Sequence, residues 1–204
     1  MSGVERFGEL SLSAPQQLPQ ERGDAARNRA LLLDAARSLV ATRGTDAITM
    51  DDIAAAAGVG KGTLFRRFGS RAGLMMVLLD EDERASQQAF LFGPPPLGPD
   101  APPMDRLVAF GRERMHFVHV HHALLSEANR DPRGRYNAPA MVLRTHVRVL
   151  LLAAQTTGDL DAQTDALLAL LDVDYVEHQL NDVGHTLETL GEAWESLAHK
   201  LCGR

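Results

Sequence analysis

The apolar positions of residues 49–68 follow the spacing of two short helices separated by a turn, Gly58-Val59-Gly60. In the first helix the apolar residues recur at i, i+3, i+4 and i+7, which places them on one face: Met50, Ile53, Ala54 and Ala57. Thr49 can cap this helix by accepting a hydrogen bond from a first-turn N–H group. Gly58 can end it in the left-handed conformation, because glycine has no Cβ. The pattern predicts a helix-turn-helix.

The second helix of this pair has a basic outer surface. Leu64 and Phe68, four residues apart, are predicted to face inward with help from Phe65. The outward residues offer hydrogen-bond donors and no acid: Lys61, Gly62, Thr63, Arg66 and Arg67. A short basic helix fits the major groove of DNA. The solvated surface of an ordinary helical hairpin is the alternative, and this pattern alone is compatible with both.

A third helix is predicted ahead of the pair. Apolar positions keep helical spacing between Asn28 and Thr42, and Gly44 follows as a stop signal. The predicted inward residues of this helix are Leu32, Leu33, Ala36, Leu39 and Val40. A lone helical hairpin buries too little apolar surface to hold its shape, so the third helix is expected to complete the core.

The rest of the chain is also predicted to be helical. Helix four is expected over residues 71–92, with residues 80–83 as a solvated acidic patch, and the proline-rich segment 93–103 then breaks the helix. Five further helices follow the apolar spacing, at about 104–120, 123–129, 138–158, 161–181 and 184–201. A polar, arginine-rich loop is predicted at 130–139.

Composition and charge support an all-α fold with one basic region. Hydrophobic residues make up 45% of the 204 residues, and Val, Ile and aromatic residues are scarce against Ala and Leu. Residues 1–71 carry ten Arg and Lys against eight acids, whereas residues 72–204 carry eleven against nineteen. Positive charge is therefore concentrated around the helix-turn-helix, and the acidic remainder would discourage DNA from lying across it.

Three features bear on the compartment. The apolar runs are far shorter than a membrane span needs, and no signal peptide is recognisable. The single cysteine, Cys202, cannot form an intramolecular disulfide, so nothing requires an oxidising environment. We expect a cytoplasmic protein.

Several residues around the helix-turn-helix form one continuous motif. They are Arg29, Ala35-Ala36, Gly44, Thr49, Ile53-Ala54 and the run A-G-V-x-K-G-T-L-F-x-x-F at 57–68, followed by S-R-x-x-L at 70–74. With these residues, the segment 27–75 resembles the TetR family of bacterial transcriptional regulators in unbroken register. Beyond residue 80 the resemblance is only architectural.

The resemblance implies a role for particular residues. Thr49 and Arg71 would hold phosphates at the two ends of the motif, and Arg67 would lie at the centre of the recognition helix. Phe65 stands where many members have a tyrosine that bonds a phosphate, so that contact is expected to be missing, and Gly60 is often serine. The predicted DNA-binding residues are Thr49, Lys61, Gly62, Thr63, Phe65, Arg66, Arg67 and Arg71.

The last two predicted helices have apolar residues alternately three and four positions apart, a spacing typical of helix bundles. An internal helix pair is equally consistent with this spacing. Together with the resemblance, it predicts a homodimer joined by a four-helix bundle. The expected interface residues are Leu168, Leu171, Tyr175, Leu187, Leu190, Trp194 and Leu197.

The histidines suggest two kinds of site. His116 and His119 are spaced i, i+3 on a helix and offer a metal-sensor alternative, but zinc sites need three or four ligands and no cysteine is nearby. We therefore predict no metal site. Polar tips in an apolar effector pocket are favoured instead, with the predicted lining Met115, Phe117, His119, Leu143, His146 and Tyr175.

Taken with the resemblance, these patterns predict a ligand-responsive DNA-binding regulator. It would be a repressor that a small-molecule effector releases from a palindromic operator. The expected segments are a flexible arm at 1–20, a helix-turn-helix DNA-binding domain at 21–70, and an effector-binding and dimerisation domain at 71–204. A ligand-independent dimeric regulator or scaffold is the alternative. We expect no cofactor and no enzyme, because no catalytic triad, phosphate loop or dinucleotide motif is present.

Overall fold

The computed structural model describes residues 18–45, 47–129 and 138–203. These residues fall into two compact units that divide between Gly69 and Ser70. The first unit contains three helices: α1 (Leu18–Arg43), α2 (Met50–Ala57) and α3 (Lys61–Phe68). The second contains seven, namely α4 (Arg71–Phe92), α5 (Pro103–Val120), α6 (His122–Asn129), α7 (Ala138–Ala153), α8 (Leu160–Ala169), α9 (Val173–Asn181) and α10 (Leu187–Leu201). The predicted all-α class is confirmed.

The first unit is built around the apolar face of α1. Leu32, Leu33 and Ala36 are buried there, and α1 packs on α2, which in turn packs on α3. Ile53 and Leu64 bring the apolar faces of the two short helices into the same unit, and both side chains are fully buried. This packing holds the helix-turn-helix in place, because a hairpin of two eight-residue helices has little apolar surface of its own.

Helix α1 begins ten residues earlier than predicted, at Leu18 rather than Asn28. The added segment is mostly polar, and its proline, Pro19, lies in the first turn, where a missing N–H group costs no helical hydrogen bond. Apolar spacing could not show this extension. Residues 1–17 of the predicted arm (1–20) and residues 130–137 of the predicted loop (130–139) lie outside the described residues. The prediction of an arm is wrong for residues 18–20, which begin α1.

The second unit is organised around α5, which packs against α10, α7, α9 and α6. Trp194 of α10 is almost fully buried, and its indole Nε1 donates a hydrogen bond to the carbonyl of Leu107 at 2.9 Å. Gly111 makes this approach possible, because a Cβ at that position would lie 2.0 Å from the indole ring. The contact between α5 and α10 therefore depends on a glycine.

One predicted helix, 161–181, is in fact two. The bonds from Leu170 N to Leu167 O and from Leu171 N to Leu168 O tighten the end of α8 into a three-residue turn. Asp172 then starts α9, since its carboxylate accepts a hydrogen bond from the Asp174 amide at 3.0 Å. The apolar spacing continued through this break, which concealed it.

Two other boundaries differ from the prediction. Helix α7 ends at Ala153 rather than near Gly158, and Gln155 follows with a φ of 58°. Helix α10 begins at Leu187 rather than Gly184, because the Thr186 hydroxyl accepts a hydrogen bond from the Thr189 amide at 3.1 Å and caps it. No helix among the described residues has the length and apolarity needed to cross a bilayer.

Candidate DNA-binding surface

The turn between α2 and α3 has the conformation expected of a tight glycine turn. Gly58 has a φ of 64°, in the left-handed region, and the Val59 amide bonds back to the Ala54 carbonyl at 3.0 Å. Gly60 is the N-cap of α3 and provides no side-chain hydrogen bond. The amino end of α3 therefore has no acidic cap, and the partial positive charge of its first turn favours an anion there.

Helix α2 begins with a capping box. The Thr49 hydroxyl accepts a hydrogen bond from the Asp52 amide at 3.2 Å, while the Asp52 carboxylate accepts one from the Thr49 amide at 2.9 Å. The same hydroxyl lies 2.6 Å from Asp52 Oδ2 and donates its proton to it. These bonds lower the pKa of Asp52, so the carboxylate stays ionised. Thr49 thus has its hydroxyl committed within the protein.

Helix α3 presents most of its predicted surface to solvent. Leu64 is its buried anchor, and the exposed residues are Lys61, Gly62, Phe65, Arg66 and Arg67, with Thr63 half-buried. Arg66 donates a long hydrogen bond, 3.5 Å, to the Thr63 hydroxyl. The prediction that Phe65 helps to form the inward face is wrong: its side chain is 40% exposed, and Lys61 Nζ lies 5.9 Å from the ring centroid. Its place on the solvent-facing side agrees with its inclusion among the surface residues.

An acid does lie beside this basic surface. Asp51 of α2 places a carboxylate oxygen 2.7 Å from Lys61 Nζ. The prediction of an acid-free surface considered the residues of α3 alone and missed this neighbour from α2. Lys61 is therefore paired within the unit.

The last predicted DNA-contacting residue, Arg71, is the first residue of α4 and belongs to the second unit. Ser70 caps this helix, because its hydroxyl accepts a hydrogen bond from the Gly73 amide at 3.1 Å. Arg71 is half-buried.

The predicted pocket residues differ in burial and in their neighbours. Met115, Phe117 and His146 are buried, His119 and Leu143 are half-buried, and Tyr175 is exposed. His119 Nδ1 lies 2.9 Å from a carboxylate oxygen of Glu177 on α9. The His146 ring instead packs against Phe90 of α4 and Phe110 of α5, with centroid distances of 4.4 and 5.0 Å. The two histidines therefore have different surroundings.

Three of the predicted dimer residues pack inside the second unit. Leu171, Leu190 and Trp194 are buried, so their side chains are unavailable to a partner. Packing on α5 accounts for the spacing of the two in α10. Tyr175 is exposed, and the other three predicted residues are half-buried: Leu168, Leu187 and Leu197.

A buried polar network between α4 and α5 was missed by the sequence analysis, which placed Glu83 in a solvated acidic patch. Arg114 Nη1 lies 3.0 Å from Glu83 Oε2, and both side chains are over 90% buried. Ser86 donates to the Glu113 carboxylate at 3.0 Å, and Gln87 donates to Glu83 at 3.0 Å. Burial raises the pKa of Glu113, although the positive charge of Arg114 opposes the shift. The i, i+3, i+4 spacing of Glu83, Ser86 and Gln87 was the available signal.

The metal-sensor alternative gains no support from the geometry. Within the described part of the chain, no group of three His, Cys, Asp or Glu side chains is placed to hold a metal ion. His122 Nδ1 lies 2.8 Å from the carbonyl of His119, and the rings of these two histidines are 6.2 Å apart.

The first unit defines a helix-turn-helix protein. Residues 32–76 match the family model described as bacterial regulatory proteins, tetR family. A segment of 59 residues is 42% identical to the HTH-type transcriptional regulator AlkX of Mycobacterium tuberculosis, and it covers 29% of this chain and 28% of that regulator. The helix-turn-helix segment of this chain is therefore similar to that of the TetR family of bacterial regulators.

Solved structures resemble the chain over most of its length. A putative transcriptional regulator from Saccharomonospora viridis, in complex with choline, has a TM-score of 0.67 at 19% identity, covering 84% of this chain and 95% of that chain. The fatty acid degradation regulator FadR from Bacillus halodurans has a TM-score of 0.62 at 17% identity, covering 84% and 94%. At these identities the likeness establishes the fold.

Proposed function

We propose that this protein is a transcriptional regulator that binds a palindromic operator as a homodimer and is released from it by a small-molecule effector. The exposed basic surface of α3, on a helix fixed by α1 and α2, is the observation that carries the proposal. Lys61, Arg66 and Arg67 supply three positive charges on two turns of helix, which suits the phosphates and base edges of a major groove. Two such helices would enter successive grooves about 34 Å apart.

Repression and its relief follow from a difference in affinity. The protein is proposed to have a DNA-binding conformation and a second one in which the spacing between the two recognition helices is altered. An effector that binds the second conformation more tightly lowers operator affinity, at most by the ratio of its affinities for the two conformations. The apolar core of the second unit is the proposed location for such a molecule. Acting on DNA in this way places the protein in the bacterial cytoplasm.

The second copy is proposed to cover the exposed side of α7 and α8. Met141, Val149 and Leu152 lie on one face of α7 and are about half exposed. The neighbouring face of α8 has exposed alanines, which allow close approach: Ala162, Ala166 and Ala169. Arg144 and Arg148 are paired with Asp161 and Asp165 between the two helices, at N–O distances of 2.9 to 3.2 Å. The charges beside these exposed apolar residues of α7 are therefore neutralised by ion pairs within each subunit.

Operator binding is tested with a duplex enriched from a random library by the full-length protein, followed by fluorescence anisotropy at several salt concentrations. The affinity is expected to fall steeply with salt, because phosphate contacts release counterions. Arg67→Ala is expected to weaken binding at least tenfold and to leave the dimer intact.

The matched control is Arg112→Ala, which removes an exposed arginine of the second unit that pairs with Glu195 at 2.8 Å. Its operator affinity is expected to stay within twofold of the wild type. Equal losses for the two variants would show a general charge effect, and an enriched duplex that binds independently of salt would overturn the proposal.

A further inference from the structure

His146 has an environment that is unusual for a polar side chain. The residue is 94% buried, and its ring packs against Phe90 and Phe110. These two rings are fully buried and contact each other edge to face, at 5.3 Å between centroids. These three rings come from α7, α4 and α5. The imidazole is thus the polar member of an aromatic cluster where three helices meet.

The imidazole nitrogen Nε2 lies inside this cluster. Within the part of the chain that the structure describes, this buried atom has no hydrogen-bond partner. Leaving such an atom unpaired costs about 1–3 kcal/mol, whereas a third apolar side chain would pack there without that cost. Stability alone does not explain a histidine at this position, but an anchor for the polar group of a ligand does.

The electrostatics of the cluster restrict the charge of that ligand. Burial, together with the nearby positive charge of Arg106, lowers the pKa of His146 to about 4, so its ring is neutral at physiological pH. A neutral imidazole offers one donor and one acceptor, and a hydroxyl group can complement either. The uncharged ring has no charge with which to offset the burial of an ionised headgroup.

Arg106, whose positive charge acts on His146, is already engaged. Arg106 donates to the carbonyl of Phe90 at 3.2 Å and to that of Leu97 at 3.5 Å, which ties it to the end of α4 and the loop that follows. It repels a cationic ligand, and its use as a partner for a carboxylate would require breaking these bonds. The buried acid of α4, Glu83, lies about two turns from Phe90 and is paired with Arg114.

We infer that the effector of this regulator is an uncharged, largely apolar molecule with a hydroxyl group, and that His146 Nε2 hydrogen-bonds that group beside Phe90 and Phe110. The inference rests on the proposed function, since it names the ligand class of the proposed effector site. It also assigns a signalling position: a molecule held there contacts α4, the helix that directly follows the helix-turn-helix in the chain.

The test uses three probes with one carbon skeleton: octan-1-ol, octanoate and octylammonium, each titrated into the full-length protein at pH 7.5. Thermal shift and the fluorescence of the single tryptophan, Trp194, report binding without DNA. Octanol is expected to raise Tm and to bind at least tenfold more tightly than the other two. Stronger binding by the acid or the amine would overturn the inference.

Two variants separate the anchor from general apolar binding. His146→Phe is expected to weaken octanol binding at least tenfold, while His116→Gln, which changes an exposed histidine of α5, keeps it within twofold. Unchanged octanol affinity in His146→Phe contradicts the assignment. If that variant does not fold, nitrogen NMR of wild-type histidines decides: octanol must shift the Nε2 resonance of His146, and an unmoved resonance overturns the inference.

The outcome is independent of operator binding. If the protein binds octanol through His146 but binds no duplex DNA, the ligand site is supported and the proposed function is contradicted. If it binds its operator but none of the probes through His146, only the inferred ligand class is contradicted.

Discussion

The Asp51 carboxylate of α2 lies 2.7 Å from Lys61 Nζ, at the start of α3, and joins the two helices across the turn. Both side chains are more than half exposed, at 62% and 59%, so the pair adds little to stability. Its main effect is on charge. On the proposed DNA-binding surface, Asp51 is expected to compete with DNA phosphates for Lys61 and to repel them from the amino end of α3.

We predict that Asp51→Asn raises affinity for duplex DNA by roughly threefold to tenfold at low salt, because it removes a negative charge and releases Lys61. Anisotropy titrations against one duplex at two salt concentrations would measure the change. Asp34→Asn is the control, since Asp34 is an acid of α1 that pairs with Arg37 at 3.7 Å. An equal gain in the control would mean that net charge, and not the position of Asp51, sets the affinity.

Thr49→Ala is expected to reduce the stability of the first unit by about 1 kcal/mol, because the hydroxyl that caps α2 is lost. Thr49→Ser keeps the hydroxyl and should stay near the wild type. Urea unfolding followed by circular dichroism gives the midpoints. Thr186→Ala is the control, because it removes the corresponding cap of α10 in the second unit. This variant should lower stability by a similar amount and leave DNA affinity unchanged.

Arg114→Met is predicted to destabilise the protein by about 3 kcal/mol, since it leaves the buried Glu83 carboxylate without its cation. The double variant Glu83→Gln with Arg114→Met should recover much of this loss, because neither charge then remains buried. The neighbouring Arg112→Met removes an exposed ion pair with Glu195 and should cost less than 1 kcal/mol. Similar losses of stability in the Arg112 and Arg114 variants would show that burial of the ion pair does not set the cost.

Stability is also expected to depend on pH through His146. With a folded pKa of about 4, this residue binds a proton more readily in the unfolded chain, whose pKa is near 6.5. The stabilising effect of the neutral ring is therefore complete above pH 6.5 and is lost as pH falls towards 4, by roughly 3 kcal/mol in total. Stabilities from urea unfolding at pH 7.5 and 5.0 should differ by about 2 kcal/mol of this total. The difference should shrink in His146→Phe and persist in His116→Gln, an exposed histidine of α5.

The apolar spacing predicted the helix-turn-helix well because its signals are local. Gly58 supplies a left-handed turn residue and Thr49 a cap, and both act within four residues of their position. The pairing of Asp51 with Lys61 could not be predicted from this spacing, because it depends on how the turn brings one helix beside the next. Electrostatic neighbours across a turn are set by three-dimensional packing, not by the periodicity of either helix.

The second unit shows a different limit. Glu83 and Arg114 are 31 residues apart, and each looks like a surface charge within its own helix. The spacing of Leu190 and Trp194 predicted an apolar face correctly but did not identify what covers it: helix α5 of the same chain. Periodicity reports that a face is buried and leaves the partner open.

The exposed apolar face of α7 is the proposed dimer surface, and it can be tested directly. Met141, Val149 and Leu152 of α7 are 49%, 51% and 58% exposed, so burying them against a second copy is favourable by the hydrophobic effect. Leu152→Glu places a charge in this strip and is predicted to weaken dimerisation at least tenfold, as measured by sedimentation equilibrium. Val120→Glu alters a similarly exposed apolar residue, 55%, at the end of α5 and should leave the dimer intact. If the dimer tolerates Leu152→Glu, the interface lies on another face. If the variant loses both the dimer and operator binding, the exposed apolar residues of α7 are needed to pair the two α3 helices on DNA.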